Sequence, residues 1–246
     1  MLSFINALTR LLNLYFAAPL VPFLMKLGIH FRHPDAPLRD NTLTLELIVM
    51  LFLLLFFVVA RLRLSVEKPG TVQNIAEMIN EFVSSQGDAI IGHGYEPHVP
   101  FATTVFLFIV LCNFGGLFPG LDTPTANPVV PLGVALLTFI YYNWNGVRAQ
   151  GPVGYVKHFA GPIWWVAPLL FPIEIISHLA RIMSLTIRLY ANMFASDLLT
   201  LVFFSMVPLG LPVIFLGLHF GVAMIQAYVF MLLTLIYLSQ AVAHDH

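Results

Sequence analysis

Pro168–Met206 reads PLLFPIEIISHLARIMSLTIRLYANMFASDLLTLVFFSM, and it decides the fold. The stretch holds no glycine, and its one interior proline, Pro172, sits within the first turn or two, where a helix tolerates it. As one helix at 1.5 Å per residue it measures about 60 Å. The hydrocarbon core of a bilayer is only about 30 Å thick. Such a helix must tilt strongly or fold back on itself. Nothing in its middle favours a break, so a single tilted helix is expected. Pro208, Gly210 and Pro212 then make a turn. A second long apolar helix from about Val213 to Val242 returns antiparallel to the first.

The composition agrees with lipid as the solvent. Of 246 residues, 59% are hydrophobic and 9% are charged, whereas a soluble domain carries about 25% charged residues. Mean hydropathy is +0.88. A net charge of -1 gives no reason to expect nucleic acid as a partner. The single cysteine, Cys112, lies in an apolar run, which excludes an internal disulfide framework and a Cys-based zinc site. Asn6, Arg10 and Asn13 interrupt the first apolar stretch, which runs into Pro19 and Pro22 without a small-residue cleavage site, so no cleavable signal peptide is expected.

Upstream of the long hairpin, residues 43–60, 101–118 and 129–144 are apolar enough to span, the last a little short. The expected fold class is therefore all-α: a polytopic membrane protein of about five transmembrane helices with amphipathic surface helices. Helical spacing of Val72, Ile75, Ile79 and Phe82 predicts one surface helix over 71–85, and residues 3–16 read similarly. Three parts are expected: an extracytoplasmic or interfacial segment (1–42), three spans with a cytoplasmic amphipathic loop (43–167), and the tilted hairpin (168–246). No internal repeat of transporter type is visible. Arg61, Arg63 and Lys68 follow the first span, Arg148 and Lys157 follow the third, and the intervening loop has only Asp122. This asymmetry places the N-terminus outside and the C-terminus in the cytoplasm, against the contrary vote of Lys26, Arg32 and Arg39.

The chemistry-bearing residues concentrate near the end. Residues 169–246 carry five formally charged side chains, Glu174, Arg181, Arg188, Asp197 and Asp245, four of them on the long helix. Ionisable groups at membrane depth are costly and point to function. Glu174, Ser177, Arg181, Ser184, Arg188, Asn192 and Ala195 step by three or four and form one polar stripe. Asp197 points to the opposite face, roughly 13 Å beyond Arg188, and Glu174 lies roughly 21 Å the other way. On the last helix His219, Gln226 and Gln240 share a face, and His219 sits near the same end of the hairpin as Asp197.

A guanidinium cannot shed its proton, and at a helix centre it costs about 2.5–3.5 kcal/mol. Arg188 thus needs a carboxylate or water. Arg181 repels it, Glu174 is too distant, and Asp197 faces away. Glu46, near the end of the first span, is the other acid at membrane depth. The simplest resolution is a carboxylate supplied by a partner protein across the Arg188 face. Plainer readings stand beside this one. Arg188 could form an ion pair within the chain, Glu174 could mark an interfacial helix end, and Arg181 could snorkel. His219 could be a hydrogen-bonded core histidine and Gln226 interhelical glue. His93 and His98, and His244 and His246, read as solvated pairs rather than metal ligands, and Trp144, Trp164 and Trp165 as interfacial anchors.

The run ISHLARIMSLTIRLYANMF (176–194) resembles the signature helix of the subunit a family of F-type ATP synthases. QAYVFMLLT (226–234) is similar to that family's final helix, and NFGGLFPG (113–120) to the end of its second span. The resemblance covers 99–243 well and 1–98 loosely. Two departures are mild: Ala191 stands where glycine is usual, and Ser196-Asp197 where Gly-Glu is common.

The resemblance implies a stator channel of two offset half-channels serving a rotating ring of c subunits in a bacterial inner membrane. Arg188 would face the ring carboxylates and separate the half-channels. Asp197, His219, Gln226 and Asn192 would line the outer half-channel. Glu174, Ser177 and His178 would line the cytoplasmic one. Partners would be the c ring, b-type peripheral stalk subunits and the lipid bilayer. No cofactor or metal is expected, and the chain would not be catalytic alone, since it has no Gly-rich nucleotide-binding loop. Two rival classes remain: a self-sufficient secondary transporter, which would commonly show inverted repeats, and a structural scaffold, which leaves the charges unexplained.

Overall fold

The computed structural model describes residues 2–12, 42–65, 70–117, 123–160, 167–206 and 211–242. Among these the chain is all-helical: α1 (Leu2–Leu12), α2 (Thr42–Leu62), α3 (Thr71–Ile91), α4 (Val99–Gly115), α5 (Val129–Ala160), α6 (Ala167–Met206) and α7 (Leu211–Val242). Short 3-10 turns at Glu96–His98 and Pro124–Ala126 precede α4 and α5.

Four helices are long and apolar enough to cross a membrane: Thr44–Leu62, Glu96–Gly115, Pro168–Met206 and Val213–Val242. The chain is thus a polytopic all-α protein. Residues 129–144, the third expected span, open α5 and do not join these four, because Asn143 and Asn145 cut the apolar run short. α5 continues to Ala160 across a kink at Gly151, whose φ of 75° is open to glycine without strain. α4 stops at Gly115, earlier than the expected 118. Residues 13–41, 207–210 and 243–246, with Trp164 and Trp165, lie outside the described residues.

α7 is the central helix and contacts α3, α4, α5 and α6. Ala223 and Ala227, both fully buried, let neighbouring backbones approach, as small residues do between membrane helices. The core around them holds Ile109 of α4, Ala135 of α5, Leu189 and Met193 of α6, and Phe230 and Met231 of α7. By contrast α2 exposes Leu51, Phe52, Leu54 and Leu55, an apolar surface suited to lipid. α1 docks on α2 through a 2.6 Å hydrogen bond between the Thr9 and Thr44 hydroxyls.

α3 forms as expected. Its buried positions are Gln73, Val83 and Gly87, whereas Ile75 and Phe82 of the predicted apolar stripe stay exposed. The helix also docks on protein: the Phe82 ring lies beside those of Phe106 and Tyr228, the Tyr228 hydroxyl donates to Gln86 Oε1 (3.1 Å), and Ser239 Oγ donates to the Ile90 carbonyl (3.1 Å). His98 is a correction. It is not solvated but buried at the start of α4, with Nδ1 3.0 Å from the Tyr141 hydroxyl. Its Gly/Pro-rich surroundings suggested a loop, and a partner 43 residues away removes it from water.

Candidate ion path

α6 and α7 run antiparallel, as three cross-helix contacts show. The Arg181 guanidinium lies over the Tyr237 ring (5.0 Å to its centroid), Asn192 Nδ2 donates to Gln226 Oε1 (2.8 Å), and Asp197 Oδ1 lies 3.4 Å from His219 Nδ1. As the position on α6 rises, the partner on α7 falls. Arg181 therefore rests on an aromatic face, a favourable cation–π arrangement.

At one end of this pair Asp197 and His219 meet a group from α4 and the following 3-10 turn. Thr123 Oγ1 donates to Asp197 Oδ1 (3.0 Å). His219 Nε2 lies 3.3 Å from the Asn113 carbonyl. Asn113, itself fully buried, accepts from Thr125 Oγ1 (2.6 Å) and donates through Nδ2 to the Ala223 carbonyl (3.2 Å). Gly116 closes the group: a Cβ there would collide with Thr123 Oγ1 and stand 3.1 Å from Asp197 Oδ1. His219 is 1% exposed, so its ring is shielded while Asp197 stays half-exposed.

At the other end Glu174 Oε1 lies 3.5 Å from His178 Nε2, one turn along α6. His178 Nδ1 is 2.8 Å from the hydroxyl of Tyr142, a buried residue of α5. Tyr155, beyond the Gly151 kink, returns its hydroxyl to Asn143 Oδ1 (2.7 Å). Ser177 is half-buried on the same turn of α6 and joins neither contact.

Arg188 stands between these ends. Leu185, Leu189 and Met193 turn into the core, which leaves Ser184, Ala191, Asn192 and Ala195 exposed around the half-buried arginine. Its polar contact is Ser184 Oγ at 3.3 Å. Among the described residues no carboxylate forms an ion pair with it. The stripe read from the sequence is thus an open face with an uncompensated cation at its centre.

The structure brings together Asp197 with His219, Asn192 with Gln226, and Glu174 with His178. Sequence reasoning missed Thr123, Thr125, Gly116 and Tyr142 as members of these groups, and did not single out Asn113 beyond its motif. The visible signal for Asn113 was an amide inside an otherwise apolar span. The arrangement can pass protons between a carboxylate and an imidazole at each end. Replacing His219 with Leu should slow proton transport several-fold while the chain still assembles. Unchanged transport across pH would reduce the histidine to packing.

The family model described as "ATP synthase A chain" matches residues 43–239. The chain is 53% identical over 238 residues to ATP synthase subunit a of Koribacter versatilis (strain Ellin345), covering 97% of each. It is 44% identical over 219 residues to ATP synthase subunit a of Solibacter usitatus (strain Ellin6076), covering 89% of this chain and 94% of that one. With ATP synthase subunit a of Bdellovibrio bacteriovorus it shares 40% identity over 176 residues, covering 72% of this chain and 77% of the other.

Proposed function

The chain belongs to the ATP synthase A chain family, and from that premise we propose that it is the stator channel subunit of a proton-driven F-type ATP synthase. It is a membrane-sector subunit that works in complex with other subunits, and ATP chemistry belongs to those. Two offset half-channels carry protons to and from the carboxylates of a rotating c ring. Arg188 separates them.

The observation that carries this reading is the open Arg188 face. An intramembrane guanidinium that pairs with no carboxylate among the described residues fits a partner that brings one. Each ring carboxylate arriving at Arg188 gives up its proton beforehand, because the fixed positive charge favours the ionised form. A proton therefore cannot pass straight from one half-channel to the other. Asp197, His219, Asn192 and Gln226 form the outer half-channel and load the ring. Glu174, Ser177 and His178 form the cytoplasmic half-channel and unload it, with Tyr142 fixing the His178 ring. Each charge that crosses 100 mV releases about 2.3 kcal/mol, so several protons serve each ATP.

The loop charges support an N-terminus outside and a C-terminus in the cytoplasm of a bacterial inner membrane. The 168–246 hairpin then carries the proton path. Segment 43–167 supplies its supporting helices and a cytoplasmic surface for b-type stalk subunits, and 1–42 stays at the outer interface.

The test is potential-driven proton flux into liposomes holding the chain alone, and then the chain with its c ring. Flux is expected only with the ring. Saturable flux through the chain alone would make it a self-sufficient transporter and end the proposal.

A further inference from the structure

We propose that Thr123 is a positioning residue for Asp197, and that Gly116 supplies the clearance that admits it. The proposal rests on the reading of Asp197 as a loading carboxylate of the outer half-channel. Thr123 Oγ1 donates to Asp197 Oδ1 at 3.0 Å, and the same oxygen is 3.4 Å from His219 Nδ1. Thr123 is 3% exposed, so its hydroxyl is held inside the protein rather than in bulk solvent.

The opposite side of His219 determines what the facing atoms do. Nε2 lies 3.3 Å from the Asn113 carbonyl, which only accepts. The ring hydrogen of neutral His219 therefore sits on Nε2, and Nδ1 presents a lone pair to Asp197. Between Nδ1 and Oδ1 there is a place for a single proton, held on the ring or on the carboxyl. The imidazole does not pass a proton through itself from one nitrogen to the other while the carbonyl holds Nε2. The geometry of Oδ1 thus governs loading, and Thr123 sets that geometry.

Gly116 makes the arrangement possible. A Cβ there would collide with Thr123 Oγ1, and would stand 3.1 Å from Asp197 Oδ1 and 3.2 Å from His219 Nε2. Contacts below about 3.4 Å force a neighbour to move, and here the hydroxyl is the nearest. A methyl at 116 displaces Thr123 from Asp197 while leaving Thr123 itself in the chain.

His219 on α7 is a titratable group beside Asp197, while α4 and the segment around the 3-10 turn present Gly116, Thr123 and the Asn113 carbonyl. Along α6 the next charge is Arg188, roughly 13 Å away on the helix axis. A hydroxyl that donates to a carboxylate distinguishes its charged form from its neutral form. Removing that donor is therefore expected to displace the pH dependence of flux from wild type.

The experiment measures proton flux against pH, driven by a potassium diffusion potential, in vesicles containing the whole ATP synthase complex. Four variants are compared: Asp197→Ala, Thr123→Val, Thr123→Ser and Gly116→Ala. The expected result is loss of flux for D197A, a pH profile displaced from wild type for T123V and G116A, and a wild-type profile for T123S. A T123V profile that overlays wild type, with D197A inactive, overturns the role of Thr123 and leaves the half-channel reading intact. A T123S profile shifted as far as T123V would also overturn it, since the lost methyl and not the hydroxyl would then matter. Normal flux in D197A overturns the half-channel reading of Asp197 and this proposal with it. If T123V does not assemble, G116A decides: a shift supports positioning and a wild-type profile refutes it.

Discussion

Arg188→Ala is expected to reduce ATP-driven proton pumping by the assembled complex to background. The guanidinium is half-buried on an exposed face, and its only polar contact among the described residues is the Ser184 hydroxyl. Removing it leaves no acid among the described residues without an ion-pair partner that it had before, so helix packing should persist. Insertion should even become easier, by the roughly 2.5–3.5 kcal/mol that an arginine costs at a helix centre. What disappears, on the proposed function, is the fixed charge that would strip each arriving carboxyl of its proton and bar direct passage. Arg188→Lys should not restore coupling. A lysine can lose its proton in a low-dielectric site, whereas a guanidinium keeps its charge. The measurement is acidification of inverted vesicles on adding ATP, with complex assembly checked in the same membranes. Normal coupled pumping by R188A would sink the proposed function.

Asn113→Leu is expected to produce the largest loss of stability. Asn113 is fully buried and joins three elements: its Oδ1 receives the Thr125 hydroxyl, and its Nδ2 reaches the Ala223 carbonyl. Leucine has similar bulk and neither function. Thr125 and the Ala223 carbonyl would be left without these partners in a dry interior. Each such loss costs about 1–3 kcal/mol, or roughly 2–6 kcal/mol together if the two add. The contact to His219 uses the backbone oxygen of residue 113 and survives the change. The deficit should therefore appear as thermal loss of the chain from the purified complex rather than as an altered pH profile. A melting curve that matches wild type would show that these bonds contribute nothing net.

The parts of the fold legible in the sequence were those fixed by local pattern. α6 and α7 could be read because nothing breaks them between Ala167 and Met206 or between Leu211 and Val242. Their antiparallel pairing then places Asp197 near His219, and helical geometry leaves Arg188 with no acid of its own helix in reach, since Glu174 shares its face but lies roughly 21 Å along the axis and Asp197 faces away. The kink at Gly151 was carried by a recognisable GlyPro pair that the span reading passed over.

What escaped the sequence depends on contacts between distant residues. Thr123 reaches Asp197 across 74 positions, Asn113 reaches Ala223 across 110, and Tyr142 reaches His178 across 36. A threonine in a Pro-rich turn and a tyrosine at the end of an apolar run look ordinary until packing chooses their neighbours. His98 failed for the same reason, since its local composition signals a loop and Tyr141 buries it. The apolar stripe of α3 describes what can face lipid, while its protein-facing positions, Val83 and Gly87, were not read from the sequence.

The unbroken course of α6 makes the distance between Glu174 and Asp197 a covalent dimension. The two carboxylates sit about 34 Å apart along one rod at 1.5 Å per residue. That separation does not depend on how well neighbouring helices pack. When the hairpin rocks, both acids and the arginine between them swing together, like marks engraved on one ruler. A single residue inserted near Met183 would rotate everything beyond it by about 100°. Arg188 and Asp197 would then be turned out of phase with Glu174, although no contact at either end had been mutated.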